Sequence, residues 1–146
     1  MVNNPWLIAG GVLSALASLL HLAVIVGGPA WYRFFGAGEA MAQAAARGSP
    51  MPALVTAGIA TVLAVWAAYA FAGAGLIPRL PLMRTAMVAI SAVYLVRGLV
   101  LIPALAQWLG GRGINTFAVW SSLIVLVYGA AYAVGTWRAW GALSRS

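Results

Sequence analysis

Residues 6–26 read WLIAGGVLSALASLLHLAVIV, a run that contains no arginine, lysine or acidic side chain. An α-helix needs about 20 apolar residues to cross the ~30 Å hydrocarbon core of a bilayer. Three further windows of similar length and apolar character follow, at 53–76, 82–105 and 117–137. The sequence therefore predicts an all-α integral membrane protein, a single domain over residues 1–146 in which four transmembrane helices form a bundle.

The composition supports the same fold class. Hydrophobic residues make up 64% of the chain and charged residues 6%, whereas soluble domains average about 25% charged residues. The net charge of +7 comes from eight arginines and a single acidic residue, Glu39. The arginines are scattered between apolar runs and form no contiguous basic patch, so we expect anionic lipid headgroups as partners and no nucleic acid.

Proline and glycine mark the ends of the predicted helices. Pro52 stands at the start of the second window, Pro78 and Pro81 separate the second from the third, and glycines at 110, 111 and 113 precede the fourth. Proline interrupts a helix and glycine favours turns, so these residues indicate three connections between four spans.

The distribution of arginines predicts the orientation. Four spans place both chain termini on one side, and positive residues favour the cytoplasm. The terminal side holds four arginines and the opposite side three, so we expect cytoplasmic termini in a bacterial inner membrane. The first group is Arg79, Arg84, Arg138 and Arg145, and the second is Arg33, Arg47 and Arg112.

Residues 27–51, here called the connecting segment, join the first two spans. The segment exceeds the ~12–15 residues beyond which loops without their own structure are uncommon. Residues 39–47 predict a short helix with Glu39 in its first turn and Arg47 in its last, as the helix dipole favours. We expect the segment to fold over the bundle mouth as an interfacial lid. Aromatic residues flank Arg33 in its first half: Trp31, Tyr32, Phe34 and Phe35.

Arg97 is the charged residue nearest the middle of a predicted span. A charged side chain at the bilayer centre costs at least about 2.5 kcal/mol, so we expect Arg97 to face the bundle interior. A buried guanidinium needs an anion, and Glu39 is the only acidic side chain in the protein. The sequence therefore predicts that Glu39 pairs with Arg97.

Candidate ligand-binding residues collect on the side of the connecting segment. His21 lies toward the end of the first span and Arg97 lies in the third, and consecutive spans are antiparallel. One interpretation is a polar pocket in one leaflet that binds a lipid-like or amphiphilic molecule through an anionic or carbonyl group. The alternative is a non-catalytic accessory or assembly subunit, whose buried polar residues only fix the fold. The predicted site consists of Arg97, His21, Glu39, Tyr94, Tyr32, Trp31 and Trp120.

The residue inventory favours binding over catalysis. The chain has no cysteine, which excludes disulfides and thiol chemistry. One histidine and one carboxylate rarely complete a metal coordination shell, and no nucleophile-elbow motif is present. We predict no catalytic residue, no metal site and no cofactor.

Small residues at positions 10, 14 and 18 recur on one face of the first span. Gly10, Ser14 and Ser18 follow the spacing that lets membrane helices approach closely. This face is either a seam inside the bundle or a seam of a homodimer.

Overall fold

The computed structural model describes residues 3–113 and 115–144 of the protein. About 80% of the structure is helical, and the described ranges contain no β-strand. The predicted all-α class is therefore confirmed. The helices are α1 (Pro5–Gly27), α2 (Pro29–Phe34), α3 (Glu39–Ala46), α4 (Met51–Gly73), α5 (Met83–Gly98), α6 (Leu101–Leu109) and α7 (Thr116–Leu143).

Four stretches of helix within the described residues are long and apolar enough to cross a membrane. Each contains 23 to 28 residues, above the ~20 that a bilayer requires. The chain is a multi-pass membrane protein, as its sequence predicts. The spans are Pro5–Gly27, Met51–Gly73, Met83–Leu109 and Thr116–Leu143, which match the predicted windows to within a few residues at most ends.

The third span is interrupted where α5 ends and α6 begins. Pro103 has no N–H and cannot donate to the carbonyl of Leu99, the residue four positions before it. The neighbouring N–H of Ile102 bonds to that carbonyl over 3.0 Å in the tighter i to i−3 pattern instead. Leu99 and Val100 consequently form a turn that breaks the span just after Arg97.

The described residues divide into two compact units. The first is drawn from Met1–Leu13 and Trp66–Ser146, and the second is Ser14–Val65. The helices α1 and α4 contribute residues to both units. Each unit has its own set of side-chain contacts.

In the first unit, α5 and α7 pack through reciprocal leucine–glycine contacts. The side chain of Leu126 on α7 fills the space beside Gly98 on α5, where an added Cβ atom would overlap its Cδ2 atom. Leu95 on α5 lies against Gly129 on α7 in the same way, at 2.7 Å. Small residues let the helix backbones approach closely, which stabilises helix packing in membranes.

Residues of α1 and α4 complete a four-helix bundle in this unit. Leu7 of α1 is fully buried and contacts Gly73 of α4 and Gly135 of α7. The Asn4 side chain precedes α1, caps its first turn by accepting from the Leu7 N–H, and donates to the Gly135 carbonyl over 2.7 Å. The first turn of α1 is thereby fixed to α7.

Arginine and tryptophan side chains meet at the end of this unit that carries the termini. The Arg84 guanidinium lies 4.5 Å from the centre of the Trp140 ring and donates twice to the Trp140 carbonyl. The Arg138 guanidinium lies 5.8 Å from the centre of the Trp6 ring. Such side chains, with an apolar body and a polar edge, are typical of the membrane–water interface.

The second unit contains the connecting segment, which has its own small core. Gly28 adopts a left-handed φ of 68° after α1, and Pro29 then begins α2. The predicted short helix is confirmed as Glu39–Ala46, with Arg47 as its C-cap. The buried residues of this core are Val24, Tyr32 and Ala42, and the partly buried Phe35, Met41 and Ala45 pack around them.

Gly10, Ser14 and Ser18 are all buried within the chain itself. Gly10 lies against the Tyr132 ring, and the Ser18 hydroxyl donates to the Ala60 carbonyl over 2.7 Å. These contacts of Gly10 and Ser18 lie within the chain.

Candidate functional site

Arg97 lies on an exposed face of α5 rather than in the interior. The inward positions of α5 recur at helical spacing, and Arg97 falls just outside this stripe, since the adjacent Gly98 is the residue that packs against Leu126 on α7. The expectation that Arg97 faces the bundle interior is therefore wrong. The buried residues of α5 are Met83, Met87, Ile90, Ser91, Tyr94 and Gly98.

A shallow groove of about 500 Å³ surrounds Arg97 on this face. Its walls are almost wholly apolar and consist of alanine and valine side chains together with the hydrocarbon part of Arg97. We call it the Arg97 groove, and its lining residues are Ala92, Val93, Val96, Arg97 and Val100. The Arg97 guanidinium contributes almost nothing to these walls and instead contacts serine side chains of α7.

Two serine hydroxyls on α7 are the partners of Arg97. Its Nη1 donates to the Ser122 Oγ and its Nη2 to the Ser121 Oγ, both over 3.4 Å. Charge-assisted hydrogen bonds are usually 2.7–2.9 Å long, so both contacts are weak. Ser121 in turn donates to the Ala118 carbonyl over 3.3 Å. The N–H donors of the guanidinium are therefore only weakly satisfied by these two neutral hydroxyls.

The contact of Arg97 with α7 lies close to the start of that helix. Ser121 and Ser122 follow the first residue of α7, Thr116, by only five and six positions. At 1.5 Å per residue this corresponds to about 8–9 Å along the helix axis. A long arginine side chain at such a level reaches toward the polar headgroup region.

Glu39 has a different partner from the one its sequence predicts. Its Oε2 atom accepts from the Arg33 Nε and its Oε1 atom from the Arg33 Nη2, each over 2.8 Å, and Gln43 donates to Oε1 over 3.3 Å. The expected pairing of Glu39 with Arg97 is wrong, because Arg33 is only six residues away in the connecting segment and offers a two-pronged guanidinium.

This ion pair shifts the titration of both groups. The hydrogen bond from Arg33 lowers the pKa of the Glu39 carboxyl below its ordinary value. The hydrogen bond to Glu39, together with the charge of the carboxylate, raises the pKa of Arg33. The acidic side chain therefore stays ionised at neutral pH and gives both of its oxygens to Arg33.

Tyr94, predicted to line the ligand pocket, is part of the buried core of the first unit. Its ring contacts those of Trp66, Tyr128 and Tyr132 at centroid distances of 5.0, 5.4 and 5.3 Å. Tyr132 is itself fully buried and donates to the Trp66 carbonyl over 3.0 Å. Tyr94 thus belongs to an aromatic cluster, whereas Trp120, also a predicted site residue, is 63% exposed on α7 next to Ser121.

The remaining predicted site residues belong to the second unit. The His21 Nδ1 lies 2.7 Å from the Ala17 carbonyl of its own helix. The buried Tyr32 accepts a hydrogen bond from the Thr56 hydroxyl over 3.3 Å. Trp31 packs over Gly27 and is 42% exposed. Tyr32 therefore has a structural role in fixing the connecting segment to α4.

The apolar wall of the Arg97 groove was not predicted from the sequence. Its signal is nevertheless present, because positions 93, 96, 97 and 100 follow the i, i+3, i+4, i+7 spacing of one helix face. In a span that is apolar all round, such a face does not stand out from the others.

Comparison with known proteins gives no relative: no family model matches the chain, and no curated protein or solved structure matches it. The function is therefore inferred from the chemistry of the Arg97 groove.

Proposed function

We propose that the protein binds an anionic, lipid-like amphiphile in the Arg97 groove. The proposal rests on the positive charge of Arg97. Arg97 is an exposed cation beside an almost wholly apolar groove, and Glu39, the only acidic side chain in the protein, is bound to Arg33. The counter-charge of Arg97 is consequently supplied from outside the chain.

The groove has the polarity that an amphiphile requires. Arg97 and the serine hydroxyls of α7 form a polar end about 8–9 Å from the start of α7. Val96, Val93 and Ala92 precede Arg97 on α5 and extend from it toward the other end of the span. When a phosphate or carboxylate headgroup binds the Arg97 guanidinium, the acyl chain attached to that headgroup lies along these three side chains.

The chemistry of arginine favours an anionic headgroup over a neutral one. A guanidinium binds planar or tetrahedral oxyanions through two parallel N–H donors. A hydrogen bond to a charged group contributes about 1.5–3 kcal/mol, which corresponds to about 10–100-fold in affinity. Zwitterionic lipids carry a compensating positive charge, so the protein should prefer lipids with a net negative charge.

Native mass spectrometry in mild detergent tests this proposal. The purified protein is titrated with phosphatidylglycerol and phosphatidylcholine of equal chain length, and the two adducts are compared. We expect a preference of at least about tenfold for phosphatidylglycerol, which Arg97→Gln abolishes. Val93→Trp, which fills the apolar channel, should weaken both adducts.

Arg112→Gln is the matched control, because it removes one charge from an exposed arginine outside the groove. If Arg112→Gln and Arg97→Gln lost the preference for phosphatidylglycerol equally, the preference would depend on the net charge of the protein alone. That result would overturn the proposed site. A wild-type protein with no lipid preference would favour the accessory-subunit role instead.

We propose in addition that the termini face the cytoplasm of a bacterial inner membrane. The terminal side carries four of the eight arginines, and Arg84 is anchored there by Trp140. Because the chain has no cysteine, Asn3→Cys and Gln43→Cys each provide a single thiol for an impermeant maleimide in intact cells. Labelling should occur at position 43 and not at position 3, and the reverse pattern would invert the orientation.

A further inference from the structure

The first half of the connecting segment presents aromatic side chains outward. Phe34 is 75% exposed and Trp31 is 42% exposed, although Tyr32 between them is buried in the core of the second unit. The rings of Phe34 and Phe35 are in edge-to-face contact at 4.9 Å, and those of Trp31 and Phe35 lie 5.8 Å apart. This helix therefore has one face toward protein and one apolar face that stays largely exposed, although its rings contact Phe35.

Covalent connectivity places this face at a bilayer surface. Pro29, the first residue of α2, follows the end of the α1 span at Gly27 by two positions. The neighbouring ends of the two spans expose apolar side chains as well. Val26 of α1 is 90% exposed, and Met51 and Leu54 at the start of α4 are more than half exposed. The apolar surface of the spans therefore extends onto α2.

The charges of the segment are arranged to permit contact with lipid. Arg33 is the only charged residue of α2, and Glu39 neutralises it through two hydrogen bonds of 2.8 Å. Moving a paired charge toward the headgroup region requires less desolvation than moving a free one. Aromatic residues with such exposure are typical of the headgroup boundary, where tryptophan concentrates.

We propose that α2 is a membrane-interface anchor, in which Phe34 and Trp31 insert into the boundary between headgroups and acyl chains of the leaflet on that side. The partner is the lipid surface of the membrane that the protein spans. Insertion covers an apolar face of amphipathic character, the general mode of interfacial helices. The connecting segment is then held by lipid through α2 and by protein through Tyr32 and Thr56.

Site-directed spin labelling tests the anchor in the full-length protein. The absence of native cysteine allows Phe34→Cys and Gln43→Cys to be labelled singly. Gln43 is the matched control, because it is an exposed polar residue of the same segment, on α3. The labelled proteins are reconstituted in phosphatidylcholine–phosphatidylglycerol vesicles, and collision rates with oxygen and with a water-soluble nickel chelate are measured.

We expect the label at position 34 to collide mainly with oxygen and the label at position 43 mainly with the nickel chelate. A label at position 34 with the chelate accessibility of position 43 would overturn the anchor, since the face would then be in water. Protection of position 34 from both reagents would also overturn it, because protein rather than lipid would cover the face. Because Phe34 is largely exposed, its replacement should preserve folding, which circular dichroism of the labelled protein checks.

Discussion

The carboxylate of Glu39 accepts two hydrogen bonds of 2.8 Å from the guanidinium of Arg33, one from Nε and one from Nη2. Both side chains are about half exposed, and the pair closes the turn between α2 and α3. Because no other acidic side chain exists in the protein, this local pair determines the electrostatics of the remaining arginines.

The titration of Glu39 gives a direct test of the pairing. The hydrogen bond from Arg33 lowers the pKa of Glu39 in the folded protein, so the pair contributes fully above the unfolded-state pKa. This contribution is lost as the pH falls through the lowered folded-state pKa. Glutamate labelled with ¹³C at the side-chain carboxyl yields a single side-chain signal, whose midpoint we expect below the ordinary value for glutamate.

Two variants separate the possible partners of Glu39. Arg33→Gln should move the midpoint of the carboxyl signal back toward the ordinary value, because the principal donor is gone. Arg97→Gln should leave it unchanged. A shift in Arg97→Gln and none in Arg33→Gln would contradict the structure and restore the ion pair predicted from the sequence.

The seam between α5 and α7 predicts a steric effect. In Gly98→Ala the new methyl group would overlap the Cδ2 atom of Leu126 and lie 2.5 Å from its Cγ atom, with the Leu126 Cα atom at 3.4 Å. Overpacking of this kind typically destabilises by about 1–3 kcal/mol. We expect this loss in the free energy of unfolding measured by denaturing-detergent titration.

Gly58→Ala is the control for the helix backbone itself, since an added Cβ at Gly58 meets no atom within 4 Å. It should be neutral or slightly stabilising, because alanine has the higher helix propensity. Combining Gly98→Ala with Leu126→Ala should cost less than the sum of the single changes. An additive result would show that the two side chains do not meet.

Removing the side-chain hydroxyl of Thr136 should increase the stability of the protein. Its buried hydroxyl oxygen has no hydrogen-bond partner among the described residues, and an unsatisfied buried polar atom costs about 1–3 kcal/mol. Thr136→Val keeps the side-chain volume and removes this atom, so the free energy of unfolding should rise by about 1 kcal/mol. Thr61→Val, at an exposed threonine that donates to the Ala57 carbonyl over 2.9 Å, should give no comparable gain. A loss of stability in Thr136→Val would indicate that the hydroxyl has a partner after all.

The fold was predictable from the sequence because membrane spans depend on length and apolar character, which are local properties. The position of Arg97 was not, since a span that is apolar all round gives no hydrophobic periodicity from which to read the inward face. The glycines Gly98 on α5 and Gly129 on α7 give a weaker indication of the inward faces, because small residues mark helix contacts in membranes. The partner of Glu39 was missed for a related reason. A buried Arg97 would require the single carboxylate, whereas an exposed Arg97 leaves Glu39 to Arg33, which is nearer in the chain. The break at Leu99 and Val100 can be predicted from Pro103, because proline cannot donate the helical hydrogen bond.

The arginines at the terminal end of the first unit differ in how they are held, and this difference predicts unequal effects. Arg84 donates from Nε and Nη2 to the Trp140 carbonyl, over 3.3 and 3.0 Å, and lies 4.5 Å from the ring centre. Arg138 lies 5.8 Å from the centre of the Trp6 ring, near the ~6 Å limit of such contacts. Arg84→Gln should therefore lower the free energy of unfolding by about 1 kcal/mol, and Arg138→Gln by less than about 0.5 kcal/mol. Equal losses in the two arginine variants, measured by the same detergent titration, would mean that positive charge at the interface matters and the Trp140 contact does not.

Trp140→Leu retains the backbone carbonyl and removes only the ring. The stability that this variant loses therefore measures the cation–π contribution of the Arg84 contact separately from its hydrogen bonds.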